Sequence, residues 1–350
     1  MADNDDLFSR LFELFNQPGP INWKLASEIS HHLVGERTPV DPWAAEEYRE
    51  LTRLAEYRLE QVTSLQVSPA PDSLPVDARE WADRHLEGYG YLSEPYSDIG
   101  GMVGPMAQLA PVIVGMQVGS LVGGMARWIL AGFDAGLPPD RQLPLALVVP
   151  HIEDFIARHE FDANSVRLWV VSEEVAYRAV AAVPFTSDHL RRLLEAEAAT
   201  IEFDPAALSG LIGMTDPGQI QEAVAGEMGG MFDSEATRAA QRETEAYLGL
   251  LAGYARVLSE RSSSELLPDL ARIRATRDEE RGVKEGEVPF GPTCPSSGAI
   301  SRGHDFCLDL ERRYGPDELT RLWTSPDRIP TAGEIADPVA WAARVLLEDF

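Results

Sequence analysis

Residues 168–185 read Leu168-Trp-Val-Val-Ser-Glu-Glu-Val-Ala-Tyr-Arg-Ala-Val-Ala-Ala-Val-Pro-Phe. Val166, Trp169, Val170, Glu173, Tyr177 and Ala181 recur at helical spacing, so a helix opens at Ala163 and Pro184 ends it. Two adjacent acids, Glu173 and Glu174, interrupt an otherwise apolar run. Glu173 and Tyr177 stand four apart and share a face, while Glu174 and Arg178 can pair along the same helix.

Working outward, Leu143–Val149 is apolar and bounded by Pro144 and Pro150, which predicts a short strand. Ile152–Glu160 reads as a helix, and Ser187 is a plausible N-cap for another through Leu190, Leu193 and Leu194. Helices are expected over Asn22–Val34, with Trp23 and Leu25 buried, and over Trp43–Val67 beyond a turn at Pro39 and Pro42. Residues 68–73 read as a loop, Asp77 starts a helix to His85, and residues 88–101 look irregular. An amphipathic helix is expected within the first fifteen residues, where Leu7, Phe8, Leu11, Phe12, Leu14 and Phe15 share a face. Periodicity is weak over 204–233, and Ser234–Ala275 reads as one long helix or two. Residues 276–302 mix the charge run Arg277-Asp-Glu-Glu-Arg281 with prolines and glycines and read as a flexible loop. Asp337-Pro338 opens a last helix with an acidic cap and Pro at its first position. About ten helices against one or two strands predict a mainly α chain, an α-rich α+β single domain over residues 1–350 with a small β element.

The chain has 57 acidic and 30 basic residues, a formal charge of −27. Such a field repels nucleic acid and disfavours anionic membranes. The two cysteines, Cys294 and Cys307, form no disulfide framework, and the acidic start Met1-Ala-Asp-Asn-Asp-Asp lacks a basic-then-apolar signal, so a cytoplasmic protein is expected. Residues 99–126 carry no charge and are long enough to span a bilayer. Pro105, Pro111, Gln108, Gln117 and acidic upstream flanks favour instead a buried helix from about Pro111. On it, Gly115, Gly119 and Gly123 allow close packing.

No dinucleotide, phosphate-loop or nucleophile-elbow motif is present. Histidines 31, 32, 85, 151, 159, 189 and 304 are scattered. His159-Glu160 begins an H-E-x-x-H pattern that fails at Ala163, and Cys294 has no Lys or His nearby in sequence to activate it.

The segment from Leu168 resembles the actinobacterial zincin-like metallopeptidases, a family of candidate hydrolases, some associated with deazaflavin-coenzyme biosynthesis. That family carries W-V-x-x-H-E-x-T-H-x-x-x-F, in which two histidines bind zinc and the Glu is the base. Here Glu173 takes the place of the first His, Glu174 keeps the Glu, and Tyr177 replaces the second His. A later E-G-H-A-D motif, whose His is the third ligand, corresponds to Ala252-Gly-Tyr-Ala-Arg, with Tyr254 for the His and Arg256 for the Asp. Pro20-Ile-Asn-Trp-Lys-Leu-Ala, Gly115-Met-Gln-Val-Gly-Ser-Leu-Val-Gly, Phe306-Cys and Glu334-Ile-Ala-Asp-Pro-Val-Ala-Trp extend the resemblance over nearly the whole chain.

The resemblance implies a zincin-like domain with a degenerate metal site. Ionising a phenol of pKa near 10 at pH 7 costs about 4 kcal/mol, so tyrosine ligates zinc poorly. Ala252 and Arg256 replace acids around the metal, and the Arg adds positive charge. The expectation is no metal and no cofactor. Tyr254 faces Glu173 and Tyr177, Arg256 compensates Glu173 or Glu174, and Glu174 is a base position without a metal-bound water. On that reading histidines at 173, 177 and 254 would restore zinc affinity. The implied role is a non-catalytic scaffold that binds a protein or peptide in the former cleft. The alternative is an active hydrolase whose zinc is held by Glu173, Glu174 and His151 or His159.

Overall fold

The computed structural model describes residues 19–67, 73–96, 110–140, 143–201, 234–284 and 294–346, the side chains of 73, 283 and 284 excepted. The helix expected within residues 1–15 and the weakly periodic stretch 204–233 lie outside the described residues.

The elements in chain order begin with α1 (Trp23–Val34), α2 (Trp43–Glu60), β1 (Ser73–Val76) and α3 (Ala78–His85). Two 3-10 turns, Glu87–Leu92 and Glu94–Tyr96, lead towards α4 (Ala110–Ala126), α5 (Gly132–Ala135) and β2 (Leu145–Val148). Then follow α6 (Val149–His159), α7 (Ala163–Ala181), α8 (Thr186–Ala198), α9 (Glu235–Ser263) and α10 (Leu270–Lys284). The chain closes with α11 (Ser297–Tyr314), α12 (Pro316–Arg321), α13 (Ala332–Ala336) and α14 (Pro338–Val345). The fold is mainly α with one small sheet, in which β1 and β2 pair in parallel from Ser73↔Leu145 to Val76↔Val148.

Local chemistry explains most boundaries. Asp77, Asp162, Ser234, Ser296 and Asp337 each accept a backbone N–H of the first helical turn, which satisfies donors that a helix start leaves open. Other positions depart from the sequence reading. α2 stops at Glu60 and not near Val67: Gln61 and Val62 turn back onto Arg58 and Leu59, and the chain then extends towards β1. β1 itself went unread because it is four residues long and holds Pro75, which a two-stranded sheet tolerates since both strands are edges. α8 begins at Thr186, and the Ser187 hydroxyl donates to the Pro139 carbonyl at 3.4 Å instead of capping. Trp23 and Leu25 are only half-buried; Ala26 and Ser30 face the interior. The predicted loop 276–302 is corrected most: its first nine residues belong to α10 and its last six to α11. Ser234–Ala275 resolves into α9 and the start of α10.

α7 lies at the centre, with Val166 and nearly every residue from Leu168 to Val180 buried. A helix apolar all round must be enclosed by its neighbours. α2, α5, α6, α8, α9 and α10 all contact it, and α9 packs in turn along α11. α4 packs along α1, as its glycines predicted. A methyl on Gly115 would stand 2.6 Å from the Asn22 carbonyl oxygen, and one on Gly119 2.5 Å from that of Ala26. No described helix is long and apolar enough to cross a membrane. The backbone of α1 cannot yield as a flexible side chain would, so Gly119→Ala should cost about 1–3 kcal/mol of stability, read from urea unfolding. An unchanged midpoint would mean that the two helices separate freely.

Candidate functional site

The two acids at the middle of α7 point to different places. Glu173 is 5% exposed, and its Oε1 accepts from Trp169 Nε1 at 3.1 Å, one turn back. Across from it stands Arg274 of α10, 7% exposed, whose Nε donates to the same oxygen at 2.7 Å and whose Nη2 adds a second bond. Arg274 also pairs with Glu260 and donates to the Arg256 carbonyl at 3.2 Å. His304 Nε2 lies 3.1 Å from Glu260.

This pair belongs to a larger lattice. Arg256 makes two bonds to Asp278, at 2.9 and 2.8 Å; it acts on Glu173 through space and bonds neither Glu173 nor Glu174. Arg277 Nη2 donates to Asp134 at 2.7 Å and also to the Trp128 carbonyl at 2.7 Å. Arg281, buried, donates to the Pro295 carbonyl at 3.0 Å. Arg274, Arg277, Asp278 and Arg281 fall on one face of α10 at spacings of three, one and three, and the sequence reading missed all four. The periodic arginines were the available signal.

Between these groups a void of about 20 Å³ remains, lined by Glu173, Tyr177, Ala252, Ala255 and Arg256 together with the α10 residues and Asp134. That is room for about one water molecule. Ala252 and Arg256 therefore do reach the place assigned to them, as does Tyr177.

Tyr254 does not. At about 100° per residue, two positions turn a helix about 200°, so residue 254 faces away from 252 and 256. Its ring stacks on Trp323 at 5.1 Å, and burial pushes its phenol up to about 12. It lines a separate cleft with Thr63 and Arg261. The expected approach of Tyr254 to Glu173 and Tyr177 is thus corrected.

Glu174 lies on the other flank of α7. Its Oε2 accepts the Phe133 N–H at 2.7 Å, and Gly132 supplies a second backbone bond, both from the start of α5. Burial dominates its titration and pushes the carboxyl up to about 7. No ion pair joins it to Arg178 among the described residues. The Tyr177 hydroxyl is buried without a hydrogen-bond partner, and burial raises its phenol far above the ordinary range.

The histidines weighed for a shifted site are engaged elsewhere. His151 Nδ1 bonds the Ile129 carbonyl at 2.9 Å, and burial lowers its basicity. His159 lies 2.7 Å from Glu280. Among the described residues no three His, Cys, Asp or Glu side chains gather into a group that could hold a metal ion. Cys307 is buried and Cys294 half-buried, and neither is in a disulfide.

A family model described as "Zincin-like metallopeptidase" matches residues 21–342. Among solved structures, the chain is similar to a candidate hydrolase with a novel fold from Chloroflexus aurantiacus. The two share 20% identity at a TM-score of 0.67, over 93% of this chain and 98% of that one. At that identity the likeness speaks for the fold alone. No curated protein matches the chain.

Proposed function

Because the chain belongs to the zincin-like metallopeptidase family, with a match over residues 21–342, its departures from a zinc site carry the functional reading: we propose that it is a binding scaffold that does not hydrolyse by the zincin route. Zinc would demand neutral imidazole, thiolate or free carboxylate donors around an open coordination position. The residues present do not fit it. Four guanidinium groups, of Arg256, Arg274, Arg277 and Arg281, line the void against three carboxylates, of Glu173, Asp134 and Asp278. A divalent cation would have to displace guanidinium groups that are already paired with these carboxylates, and the Glu173 oxygen it needs already takes bonds from Arg274 and Trp169. The arginine at Glu173 is the observation that carries the reading: a fixed guanidinium takes up the charge-balancing role of a metal.

Nor does the geometry favour the shifted site, since His151 and His159 bond other partners and line or flank a different cleft. The void at Glu173 has room for about one water molecule, so space for a ligand of such a scaffold lies on the Glu174 side of the motif.

The reading makes a direct prediction. Protein incubated with excess zinc and then dialysed should retain well below one zinc per chain by elemental analysis. The Glu173→His, Tyr177→His, Tyr254→His triple variant should gain none, because Tyr254 faces Trp323. Stoichiometric zinc in the wild type with chelator-sensitive peptidase activity would overturn the proposal.

A further inference from the structure

The flank of α7 opposite the arginine lattice holds the cavity beside Glu174, of about 210 Å³. Val175, Ala179, Val183, Leu137 and Leu143 give it apolar walls. Of the polar groups that line it, Glu56, Asp140, Glu174, His85 and Ser187 have interactions of their own, whereas three make no hydrogen bond or ion pair among the described residues. Arg178 is half-buried and makes no hydrogen bond or ion pair among the described residues. The Tyr177 hydroxyl is buried without a partner, and the Tyr89 phenol makes no hydrogen bond among the described residues. His85 donates through Nδ1 to the Trp81 carbonyl at 2.7 Å and stays neutral, because burial pulls its imidazole down to about 4. Buried polar groups of this kind are nearly always paired, and several open donors converging on one apolar space mark a ligand site.

We propose that this cavity binds a small organic carboxylate, whose anionic end pairs with Arg178 and whose hydrocarbon body lies along Val175, Leu137 and Val183. The guanidinium fork matches a carboxylate with two parallel N–H bonds, and the phenols add neutral donors. Arg178 is the one cation of the lining; of the carboxylates there, Glu56 and Asp140 have interactions of their own and Glu174 can hold a proton, so the guanidinium is the group that a monoanion would meet. The volume is below the roughly 300 Å³ at which pockets for drug-sized ligands begin, which limits the ligand to a compact acid. A phosphate dianion suits the cavity less well, because Glu56, Asp140 and Glu174 line the same space. The Glu174 carboxyl, pushed up to about 7, can hold its own proton and tolerate one neighbouring negative charge.

The proposal deepens the binding-scaffold reading and rests on it. Its test reads recognition of a carboxylate and not metal content, so either can fail alone. Calorimetric titration of the full chain with 4-methylpentanoate should saturate. The isosteric 4-methylpentanamide should bind at least about tenfold more weakly, since only the acid makes charge-assisted bonds. Arg178→Ala, which removes no ion pair of the fold, should weaken 4-methylpentanoate by a similar factor. The proposal is overturned by absence of saturable 4-methylpentanoate binding, by equal affinity for the amide, by undiminished binding to the Arg178→Ala variant, or by tighter binding of inorganic phosphate. The acid–amide comparison uses only wild-type protein and so stands even if the variant fails to fold.

Discussion

Arg274→Ala should lower the free energy of unfolding by about 3–5 kcal/mol, the usual consequence of leaving one member of a buried ion pair alone. Both partners are almost fully enclosed, Arg274 at 7% and Glu173 at 5% exposure. Without the guanidinium, Glu173 keeps only the indole N–H of Trp169 and must carry its charge in a desolvated place, or take up a proton. Glu260 keeps His304 as a partner and is one-third exposed, so its share of the loss is small. The informative control is the double variant Glu173→Leu, Arg274→Met. Apolar replacement of a whole buried pair is often close to neutral, so the double variant should be more stable than Arg274→Ala despite carrying more changes. Urea unfolding of the three proteins measures this. If Arg274→Ala costs under about 1 kcal/mol, the pair is hydrated in solution and the lattice is not what holds α10 against α7.

The sequence made the scaffold more legible than the site. Periodicity located α7, and the glycines at 115, 119 and 123 announced a close helix contact, because a missing Cβ has one steric meaning whatever packs against it. Capping residues such as Asp77 and Asp337 also read correctly, since their bonds are local. What failed was everything that depends on which charges meet across the fold. The run Arg277–Arg281 looked like a solvated loop because charged residues are seldom buried. It is instead a helix whose Arg277 points inward to Asp134, whose Arg281 reaches the Pro295 carbonyl, and whose Asp278 binds Arg256. Asp134 and Asp278 are 144 positions apart in sequence, and no local pattern links them. Tyr254 failed for a different reason. Aligning a motif assigns an identity to a position, whereas the helical angle of α9 decides which way it faces, and there residues 252 and 256 face inward. The short β1 strand was hidden because its pairing with β2 is supplied by the rest of the fold.

A pH series on Glu174→Gln provides the second large effect, and its sign follows from the direction of the shift. Burial raises the Glu174 carboxyl from 4.5 to about 7, so the native state holds its proton more tightly than the unfolded chain does. The wild type therefore keeps this contribution in full below about pH 4.5 and loses it as pH rises towards 7, where burying the carboxylate becomes an increasing cost. At 1.36 kcal/mol per unit, the loss relative to a neutral side chain amounts to about 3 kcal/mol by pH 8. Glutamine is nearly isosteric and cannot ionise. Its single oxygen serves the Phe133 and Gly132 N–H groups less well than two carboxylate oxygens, a pH-independent cost of about 1 kcal/mol. The absolute stabilities thus matter less than the divergence of the two curves. Other groups act in the opposite sense: His85 and His189, both pulled down to about 4 by burial, and His151, also lowered, favour the fold as pH rises through the histidine range. They are common to both proteins and cancel in the difference. Urea unfolding at pH 5, 6, 7 and 8 should show the variant gaining on the wild type throughout that interval and levelling off near its upper end. Parallel curves would mean that the Glu174 carboxyl is solvated, and the cavity beside it would then be open water and not a walled site.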